Sequence, residues 1–375
     1  MSSKWTGLVQ DIKTARGDEL LAVENLTKVF RGTGRLRSRD NDVVALDDVS
    51  FELGRGETLA LVGESGSGKT TATRCILRLI EPTSGEIRFE GKSILGLAPS
   101  QLFNLRRRMQ VVFQDPFASL DPRMTIEKIV EEPLVVHRLG NASERHDRVK
   151  EILELVGIPA QHANRKPQAF SGGQRQRIAI ARALALNPEV VVLDEPVTAL
   201  DMSIQAQVLN LLVDLQVRLG LTYLLVVHDL AVAEFAAHRI VVMYRGKVVE
   251  VGTTSRILNR PLHPYTVVLL SAVPIADPEL AARSHRIILN ADSFDGAGVA
   301  RGCPFRLRCP VGRERSTCQE MQPELAILEE GHSVACHFPG ELSLRAGEEV
   351  FVGAPLAPNR AHGTSLSQRG AGTDA

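Results

Sequence analysis

The chain has 375 residues, enough for about two domains at roughly 100 to 200 residues each. Its 44 lysines and arginines balance 44 aspartates and glutamates, which argues against generic binding of polyanions. With 12 Phe, 3 Tyr and 1 Trp there is little material for a base-stacking surface, so we predict no nucleic acid partner.

The apolar runs are short throughout the chain. The longest uninterrupted ones have five residues, whereas a membrane-spanning helix needs about 18. The N-terminal segment lacks the apolar region of a secretion signal. We therefore predict that the chain does not itself cross a membrane and lies in a reducing cytosol.

Residues 1–19 form a polar lead, and a strand pattern begins with LLAVENLTKVF. Residues 31–42 are polar and basic, which is typical of a solvated loop between strands. VSFEL and ETLALV follow, and the second predicts a buried strand that ends at Gly63. Beyond Gly68, helical spacing of apolar residues predicts an amphipathic helix carried by Ala72, Ile76, Leu79 and Ile80.

Further strands and helices follow the same pattern. VVVL at 190–193 predicts a strand, and the next helix has an apolar face of Ile204, Val208, Leu211, Leu212, Leu215 and Leu219. TYLLVVHD and RIVVMYRGKVVEVG predict more strands, the latter a hairpin turning at Arg245-Gly246. Residues 98–170 look helical and polar without a convincing strand. This alternation predicts an α/β fold with a mainly parallel sheet covered on both faces.

The segment GESGSGKT matches the phosphate-binding pattern G-x-x-x-x-G-K-[ST] between a buried strand and a helix. Its glycines let backbone N–H groups converge on phosphate oxygens, and the helix dipole adds positive potential. Lys69 can bridge the β- and γ-phosphates, and the Thr70 hydroxyl can coordinate Mg²⁺. A glycine turn that only caps a helix would not explain Lys-Thr at this place. The expected ATP-binding residues here are Gly63, Ser65, Gly66, Ser67, Gly68, Lys69, Thr70 and Thr71.

Two acids follow the strand VVVL, at the kind of strand end where open α/β sheets bind ligands. Asp194 is positioned to hold Mg²⁺ through water, and Glu195 is the natural general base for an attacking water. Adjacent acids can also merely cap the next helix. The phosphate-binding loop favours the catalytic interpretation.

FSGGQRQRIAIARAL opens a helix with Ser171-Gly172-Gly173-Gln174, a second anion cradle made of a serine N-cap, two glycines and a free helix N-terminus. With this signature, residues 20–270 resemble the ATP-binding cassette (ABC) family of P-loop NTPases, although Phe170 stands where leucine is usual. The resemblance implies a parallel sheet core, an antiparallel β subdomain and a helical subdomain at about 98–170.

The resemblance also assigns roles to single residues. In the family two cassettes pair head-to-tail, and each ATP lies between one P-loop and the other signature. The residues that would reach the partner's ATP are Ser171, Gly172, Gly173, Gln174 and Asp201. Gln114 matches the glutamine near Mg²⁺ and the attacking water, and His228 matches the switch histidine at the γ-phosphate. Phe30 falls at the adenine-stacking position, a looser match because tyrosine is more frequent there.

The C-terminal part resembles the extension of oligopeptide/dipeptide importer ATPases, a branch that includes nickel-importer relatives. The match is carried by RPLHPYTVVLLSAVP, RGCPFRLRCP and HSVACH; the basic loop 31–42 resembles an insertion in one of the branch's two paired subunits. We place the extension at 271–340 and a tail, predicted to be disordered, at 341–375. The branch implies a second ATPase subunit, a paralogue more than an identical copy, with two transmembrane permeases and an extracytoplasmic substrate-binding protein. Its members are peripheral on the cytoplasmic face of the bacterial inner membrane.

Four of the five cysteines are clustered in the extension: Cys303, Cys309, Cys318 and Cys336. Their spacing is wider than the C-x2-4-C pairs of structural zinc sites, and four thiolates can ligate an iron–sulfur cluster. Related transporters carry a four-iron cluster at such cysteines, so the resemblance implies [4Fe–4S]. Zinc, with His332 or His337, and unligated core thiols remain alternatives. Cys75 is expected to be a small core residue.

The resemblance implies the ATP-hydrolysing subunit of an importer for oligopeptides, dipeptides or a related solute such as nickel. ATP would close a cassette dimer, and water activated by Glu195 would reopen it, driving separate permeases. The alternative is a soluble ABC ATPase that acts on ribosomes or DNA. Translation-associated members of the family usually carry two cassettes per chain, whereas each motif occurs once here. Chromosome-organising members need long coiled-coil insertions, and the sequence predicts none. In a third hypothesis the extension is a metal-responsive regulator of the ATPase.

Overall fold

The computed structural model describes residues 19–32, 42–273, 287, 301–343 and 351–352. The predicted polar lead, apart from Glu19, and the central part of the basic loop lie outside the described residues. The same holds for most of the predicted tail and for 274–300 except Ile287.

Strands and helices alternate along most of the chain. The strands are β1 (Glu19–Phe30), β2 (Val43–Gly54), β3 (Thr58–Val62), β4 (Ser84–Phe89), β5 (Lys92–Ser93), β6 (Met109–Val112), β7 (Val190–Asp194), β8 (Thr222–Val227), β9 (Arg239–Tyr244), β10 (Lys247–Thr253), β11 (Ala326–Glu329), β12 (His332–Val334), β13 (Leu342–Ser343) and β14 (Phe351–Val352). The helices are α1 (Lys69–Ile76), α2 (Pro99–Arg108), α3 (Pro116–Ser119), α4 (Ile126–Val136), α5 (Ala142–Leu155), α6 (Gly172–Leu184), α7 (Met202–Leu219), α8 (Leu230–Ala236), α9 (Thr254–Asn259), α10 (Pro264–Ser271) and α11 (Ser316–Glu320).

An eight-stranded mixed sheet runs in the order β11-β12-β10-β9-β3-β8-β7-β6. Strands β9, β3, β8, β7 and β6 are mutually parallel. Every residue of β3, β7 and β8 is buried, as expected for parallel strands covered on both faces. The prediction of an α/β fold with a mainly parallel sheet is confirmed, and the carboxyl ends of these strands share one edge.

A separate four-stranded antiparallel sheet, in the order β2-β1-β4-β5, packs against the face of the main sheet that also carries α1. The opposite face of the main sheet is covered mainly by α4 to α8. The antiparallel β subdomain implied by the resemblance is therefore present. The predicted hairpin is also confirmed, because β9 and β10 turn at Arg245 and Gly246, both with positive φ.

Two predicted features need correction. Residues 98–170 do contain a strand, because β6 pairs in parallel with β7. Only four residues long and with its two middle residues half-buried, β6 is too short to give a periodic signal. The helix after the phosphate loop ends at Ile76 rather than Ile80, since Arg78 takes a left-handed φ of 50°. Leu79 is consequently exposed.

The C-terminal extension continues the main sheet. Strand β12 pairs antiparallel with β10, and β11 pairs with β12. Phe305 is fully buried against Tyr244 and Tyr265, with ring centres 5.2 and 5.4 Å away. The extension thus shares a core with the nucleotide-binding part of the chain. Within the described ranges, no helix has both the length and the apolarity needed to span a bilayer.

Candidate functional site

The loop from Gly63 to Gly68 joins the buried strand β3 to helix α1, as predicted. Gly68 takes a φ of 104° directly before Lys69. A Cβ at this glycine would lie 2.6 Å from the carbonyl oxygen of Ala45. Both the left-handed backbone and the close approach require glycine, so this part of the pattern is set by the geometry of the loop.

Lys69 lies inside the curl of that loop. Its Nζ donates to the carbonyl oxygens of Gly63 at 2.6 Å and Glu64 at 2.9 Å. Burial lowers the pKa of Lys69, an effect opposed by the nearby charges of Glu195, Asp194 and Glu64. The ammonium is therefore a partly desolvated positive charge held by two carbonyl oxygens of the loop, the property expected of a phosphate ligand.

Thr70 and Asp194 bring a hydroxyl and a carboxylate together. Thr70 Oγ1 donates to Asp194 Oδ1 at 3.4 Å, joining the start of α1 to the end of β7. Burial raises the pKa of Asp194, and the neighbouring Glu195 charge raises it further. Oxygen ligands of this kind suit Mg²⁺, and a divalent cation would offset the cost of keeping this carboxylate charged. The residues present thus fit the ion that the sequence predicted.

Three side chains of the candidate site lie around the carboxylate of Glu195. Its Oε2 accepts a hydrogen bond from Gln114 Nε2 at 3.0 Å and another from Thr198 Oγ1 at 3.3 Å. His228 Nδ1 lies 3.8 Å from the same oxygen. The backbone of Glu195 is left-handed, with a φ of 49°, an uncommon conformation that occurs at functional sites. The three strand ends after β6, β7 and β8 therefore converge on one carboxylate.

Phe30 lies at the end of β1 with 43% of its surface exposed. The ammonium of Lys28 is 5.1 Å from its ring centre. An exposed ring on the antiparallel sheet is available for stacking, in keeping with the looser assignment from the sequence.

The signature residues form a capping box at the start of α6. Ser171 Oγ accepts from the Gln174 N–H at 3.4 Å, and Gln174 Oε1 accepts from the Ser171 N–H at 3.0 Å. A Cβ on Gly173 would lie 2.3 Å from Ile204 Cγ2, so α6 and α7 pack closely here. Asp201, at the N-cap of α7, is exposed. These residues present a helix N-terminus separate from that of α1.

Four contributors to the site were not found from the sequence. Thr198, which bonds Glu195, lies in a stretch without a pattern. Glu64 occupies a variable position of the loop pattern, yet Arg308 makes two hydrogen bonds to its carboxylate at 2.8 and 3.0 Å. Tyr265 OH accepts the Glu64 backbone N–H at 2.8 Å. No local signal could have found the last two, because they are more than 200 residues from Glu64.

The four clustered cysteines line one cavity in the extension: Cys303, Cys309, Cys318 and Cys336. All are free thiols, and burial raises the pKa of each, that of Cys318 to about 11. The Gly312 N–H donates to Cys309 Sγ at 3.2 Å, and the Phe338 N–H donates to Cys336 Sγ at 3.4 Å. Among the described residues, however, no three Cys, His, Asp or Glu side chains form a ready metal-ligand set.

The two histidines considered as zinc ligands are engaged elsewhere. His332 Nε2 lies 2.8 Å from Glu250 Oε1, with both side chains buried. His337 Nε2 lies 2.9 Å from the carbonyl oxygen of Met321. Both imidazoles thus have hydrogen-bond partners other than the four cysteines. Cys75 is fully buried, as predicted for a core residue.

A surface groove of about 360 Å³ lies beside β6. Phe103, Phe113 and Val136 line it and are 41 to 54% exposed. Phe113 directly precedes Gln114, so the wall of the groove is continuous with the residue that contacts Glu195.

Comparison with known proteins agrees with this geometry. A family model described as ABC transporter matches residues 46–198, and one described as the oligopeptide/dipeptide transporter C-terminal region matches 249–318. An ATP-binding protein of Brucella ovis is 49% identical over 84% of this chain and 97% of its own length. The oligopeptide transport ATP-binding protein AppF of Bacillus subtilis is 45% identical over 86% of this chain and 98% of its own.

Among solved structures, a dimer of the ATP-binding cassette MJ0796 in a post-hydrolysis state with ADP and phosphate is 34% identical. The alignment has a TM-score of 0.56 and covers 63% of this chain and 99% of that chain. The resemblance recognised in the sequence is thereby confirmed. The chain belongs to the ATP-binding cassette transporter family, as an ATPase subunit of its oligopeptide/dipeptide branch.

Proposed function

We propose that this subunit hydrolyses ATP at the loop Gly63–Thr71 with Glu195 as the general base. The observation that carries this assignment is the set of contacts at Glu195 Oε2, made by Gln114, Thr198 and His228. Two donors and a nearby imidazole fix the carboxylate at the carboxyl edge of the sheet. A positioned carboxylate can accept the proton of a water that attacks the γ-phosphate.

The other residues of the site bind and orient ATP. Lys69 and the loop N–H groups hold the phosphates, and Phe30 stacks on the adenine. Thr70 and Asp194, with Gln114 nearby, would hold Mg²⁺, and the bound ion would neutralise phosphate charge. His228 contacts the γ-phosphate from the end of β8.

Replacing the base separates binding from chemistry. Glu195→Gln keeps the shape of the side chain, so ATP affinity should stay within about threefold of wild type, while turnover falls at least 100-fold. Equilibrium binding of ATP and release of phosphate measure the two properties. The control is Glu234→Gln, an exposed acid on α8, which should leave both unchanged. Turnover by Glu195→Gln close to that of wild type would remove Glu195 from the role of base.

The signature residues act on ATP bound by a second cassette. Ser171 and Gln174 present a capped helix N-terminus with glycines between them, which suits an anion. The similarity to a dimeric cassette with ADP and phosphate supports this pairing. For this branch we propose a paralogue as the partner, with Asp201 at the seam between the two subunits. Hydrolysis by the two purified subunits together should then fall faster than linearly when the mixture is diluted.

The groove beside β6 is the proposed docking site of a permease. Its exposed apolar lining suits a short amphipathic helix, and Phe113 would pass its motion to Gln114. We propose peptides as the cargo because relatives such as AppF are named for oligopeptide transport. The subunit would then sit peripherally on the cytoplasmic side of the membrane, with two permeases and an extracytoplasmic binding protein.

A single charge in the groove tests this arrangement. Val136→Glu should abolish co-purification with coexpressed permeases while ATP binding stays unchanged. The matched control is Val217→Glu, an exposed valine on α7 outside the groove. Membrane association independent of the permeases, or sedimentation with ribosomes, would favour the alternative of a soluble ABC ATPase.

For the cysteine cavity we propose a [4Fe–4S] cluster held by Cys303, Cys309, Cys318 and Cys336. The support is that all four thiols line one cavity and that two of the sulfurs accept backbone N–H groups, an arrangement found around iron–sulfur clusters. Iron and sulfide analysis with visible absorption of anaerobically purified protein tests it. Stoichiometric zinc without iron would support the alternative metal.

A further inference from the structure

Glu64 is tied to the C-terminal extension by two charge-assisted hydrogen bonds. Arg308 Nη1 donates to Glu64 Oε2 at 2.8 Å, and Arg308 Nη2 donates to Glu64 Oε1 at 3.0 Å. The arginine side chain is only 16% exposed, against 38% for the glutamate. Such a two-pronged pair is stronger and more specific in direction than a single ion pair. The guanidinium therefore fixes the orientation of this carboxylate.

The backbone of the same loop residue is held from the same side. Tyr265 OH accepts the Glu64 N–H at 2.8 Å, and Tyr265 is fully buried. Its ring packs against Tyr244 and Phe305, with ring centres 4.7 and 5.4 Å away. Arg308 lies over the edge of this cluster, 5.9 Å from the ring centre of Tyr244. One rigid unit thus holds both the side chain and the amide of Glu64.

The position of Glu64 makes this contact matter for nucleotide binding. Its carbonyl oxygen accepts from Lys69 Nζ at 2.9 Å, so the residue directly contacts the ammonium proposed to bind phosphate. The charge of the Glu64 carboxylate also acts on Lys69, whose pKa it raises against the effect of burial. Without a counter-charge the same carboxylate would repel a triphosphate bound at Lys69. Arg308 supplies that counter-charge at the loop.

We propose that Arg308 is a positioning residue for nucleotide binding, which acts through Glu64 by neutralising its charge and holding the loop in its phosphate-binding shape. The inference concerns the binding step of the ATPase and does not depend on the identity of the cargo, the permeases or any metal at the cysteines. It assigns the extension a part in the nucleotide site that no sequence pattern indicates.

The test begins with Arg308→Gln in the full-length chain. The dissociation constant for ATP, measured by equilibrium binding, should rise about tenfold, which corresponds to ~1.4 kcal/mol. The turnover rate at saturating ATP should change less than threefold, because Arg308 does not touch Glu195. Arg308→Lys keeps the charge but not the paired geometry, so its dissociation constant should fall between those of wild type and Arg308→Gln.

A double variant separates this role from general support of the fold. Glu64→Gln removes the charge that Arg308 neutralises, so Arg308→Gln combined with Glu64→Gln should bind ATP within about threefold of wild type. The control is Arg306→Gln in the same turn, because among the described residues its side chain donates to the backbone carbonyls of Arg301 and Gln319, both in the extension. The proposal fails if Arg308→Gln binds ATP like wild type, if Glu64→Gln brings no relief, or if Arg306→Gln weakens binding equally.

Discussion

Glu250 on β10 joins the extension to the core of the molecule, and its removal should be among the most destabilising single changes. The side chain is fully buried. It accepts the backbone N–H groups of Leu262 at 2.8 Å and His263 at 3.0 Å, and its Oε1 lies 2.8 Å from His332 Nε2. One carboxylate thus satisfies groups on β12 and on the segment that leads into α10.

The magnitude follows from these contacts. Glu250→Ala leaves three buried polar groups without a partner, at about 1 to 3 kcal/mol each. Single substitutions seldom cost more than about 4 to 5 kcal/mol, and breaking a buried hydrogen-bond network is among the mechanisms that reach this range. We therefore expect the free energy of unfolding to fall by about 3 to 5 kcal/mol. Glu250→Gln keeps one acceptor oxygen but turns an N–H₂ group toward a donor, so the free energy of unfolding should fall by about 1 to 3 kcal/mol in this variant.

Urea unfolding followed by circular dichroism measures the difference in the free energy of unfolding between each variant and wild type. The dependence of that free energy on urea concentration should be the same for all variants. The control is Glu329→Ala on β11. In the part of the chain that the structure describes, Glu329 forms ion pairs with the half-exposed Arg256 and Arg260, and such surface pairs are worth about 0 to 1 kcal/mol. If Glu250→Ala unfolds within 1 kcal/mol of wild type, or no differently from Glu329→Ala, the buried carboxylate does not hold the extension in place.

Two further predictions concern a glycine and a histidine. Gly68→Ala should destabilise the nucleotide-free protein by about 2 to 4 kcal/mol in urea unfolding, because its Cβ would meet the Ala45 carbonyl oxygen at 2.6 Å. Gly66 also has a positive φ, but an added Cβ there would meet open space, so Gly66→Ala should lower the free energy of unfolding by only about 1 kcal/mol. Equal losses in the two variants would contradict a clash at Gly68. Burial lowers the pKa of His263 to about 3, so the unfolded chain binds the extra proton below about pH 6.5 and stability falls as the pH drops toward 3. Between pH 7 and 5 wild type should lose about 2 kcal/mol more than His263→Asn, whose amide oxygen can still accept from the Tyr265 N–H; parallel losses would refute this.

The candidate site was predictable where its chemistry is local. The loop pattern fixes the spacing between its glycines and Lys69 because one turn of chain must surround a phosphate. Asp194 and His228 each end an apolar strand, and the carboxyl ends of parallel strands lie at one edge of the sheet. Strand alternation was thus enough to place Asp194 and Glu195 at this edge, whereas the role of His228 was implied by the resemblance to the cassette family. Neither indicated that Gln114, Thr198 and His228 lie around Glu195 Oε2.

The features that were missed depend on contacts between distant parts of the chain. Strand β6 is four residues long and is a strand because it pairs with β7. Helix α1 ends early because Arg78 adopts a left-handed conformation. This conformation usually falls on a glycine, so the sequence gives no sign of it here. The pairing of Glu64 with Arg308 spans 244 residues. None of these leaves a periodic signal within a window of sequence.

The structure therefore connects the cysteine cavity to the phosphate loop through one turn of chain. Arg308 directly precedes Cys309, and Phe305 of the same turn packs on Tyr265. Because Arg308 and Cys309 are adjacent, a displacement of this turn would also displace the guanidinium, and a bidentate contact loses strength with small displacements. Such a displacement would therefore weaken the hold of Arg308 on the Glu64 carboxylate in the phosphate loop.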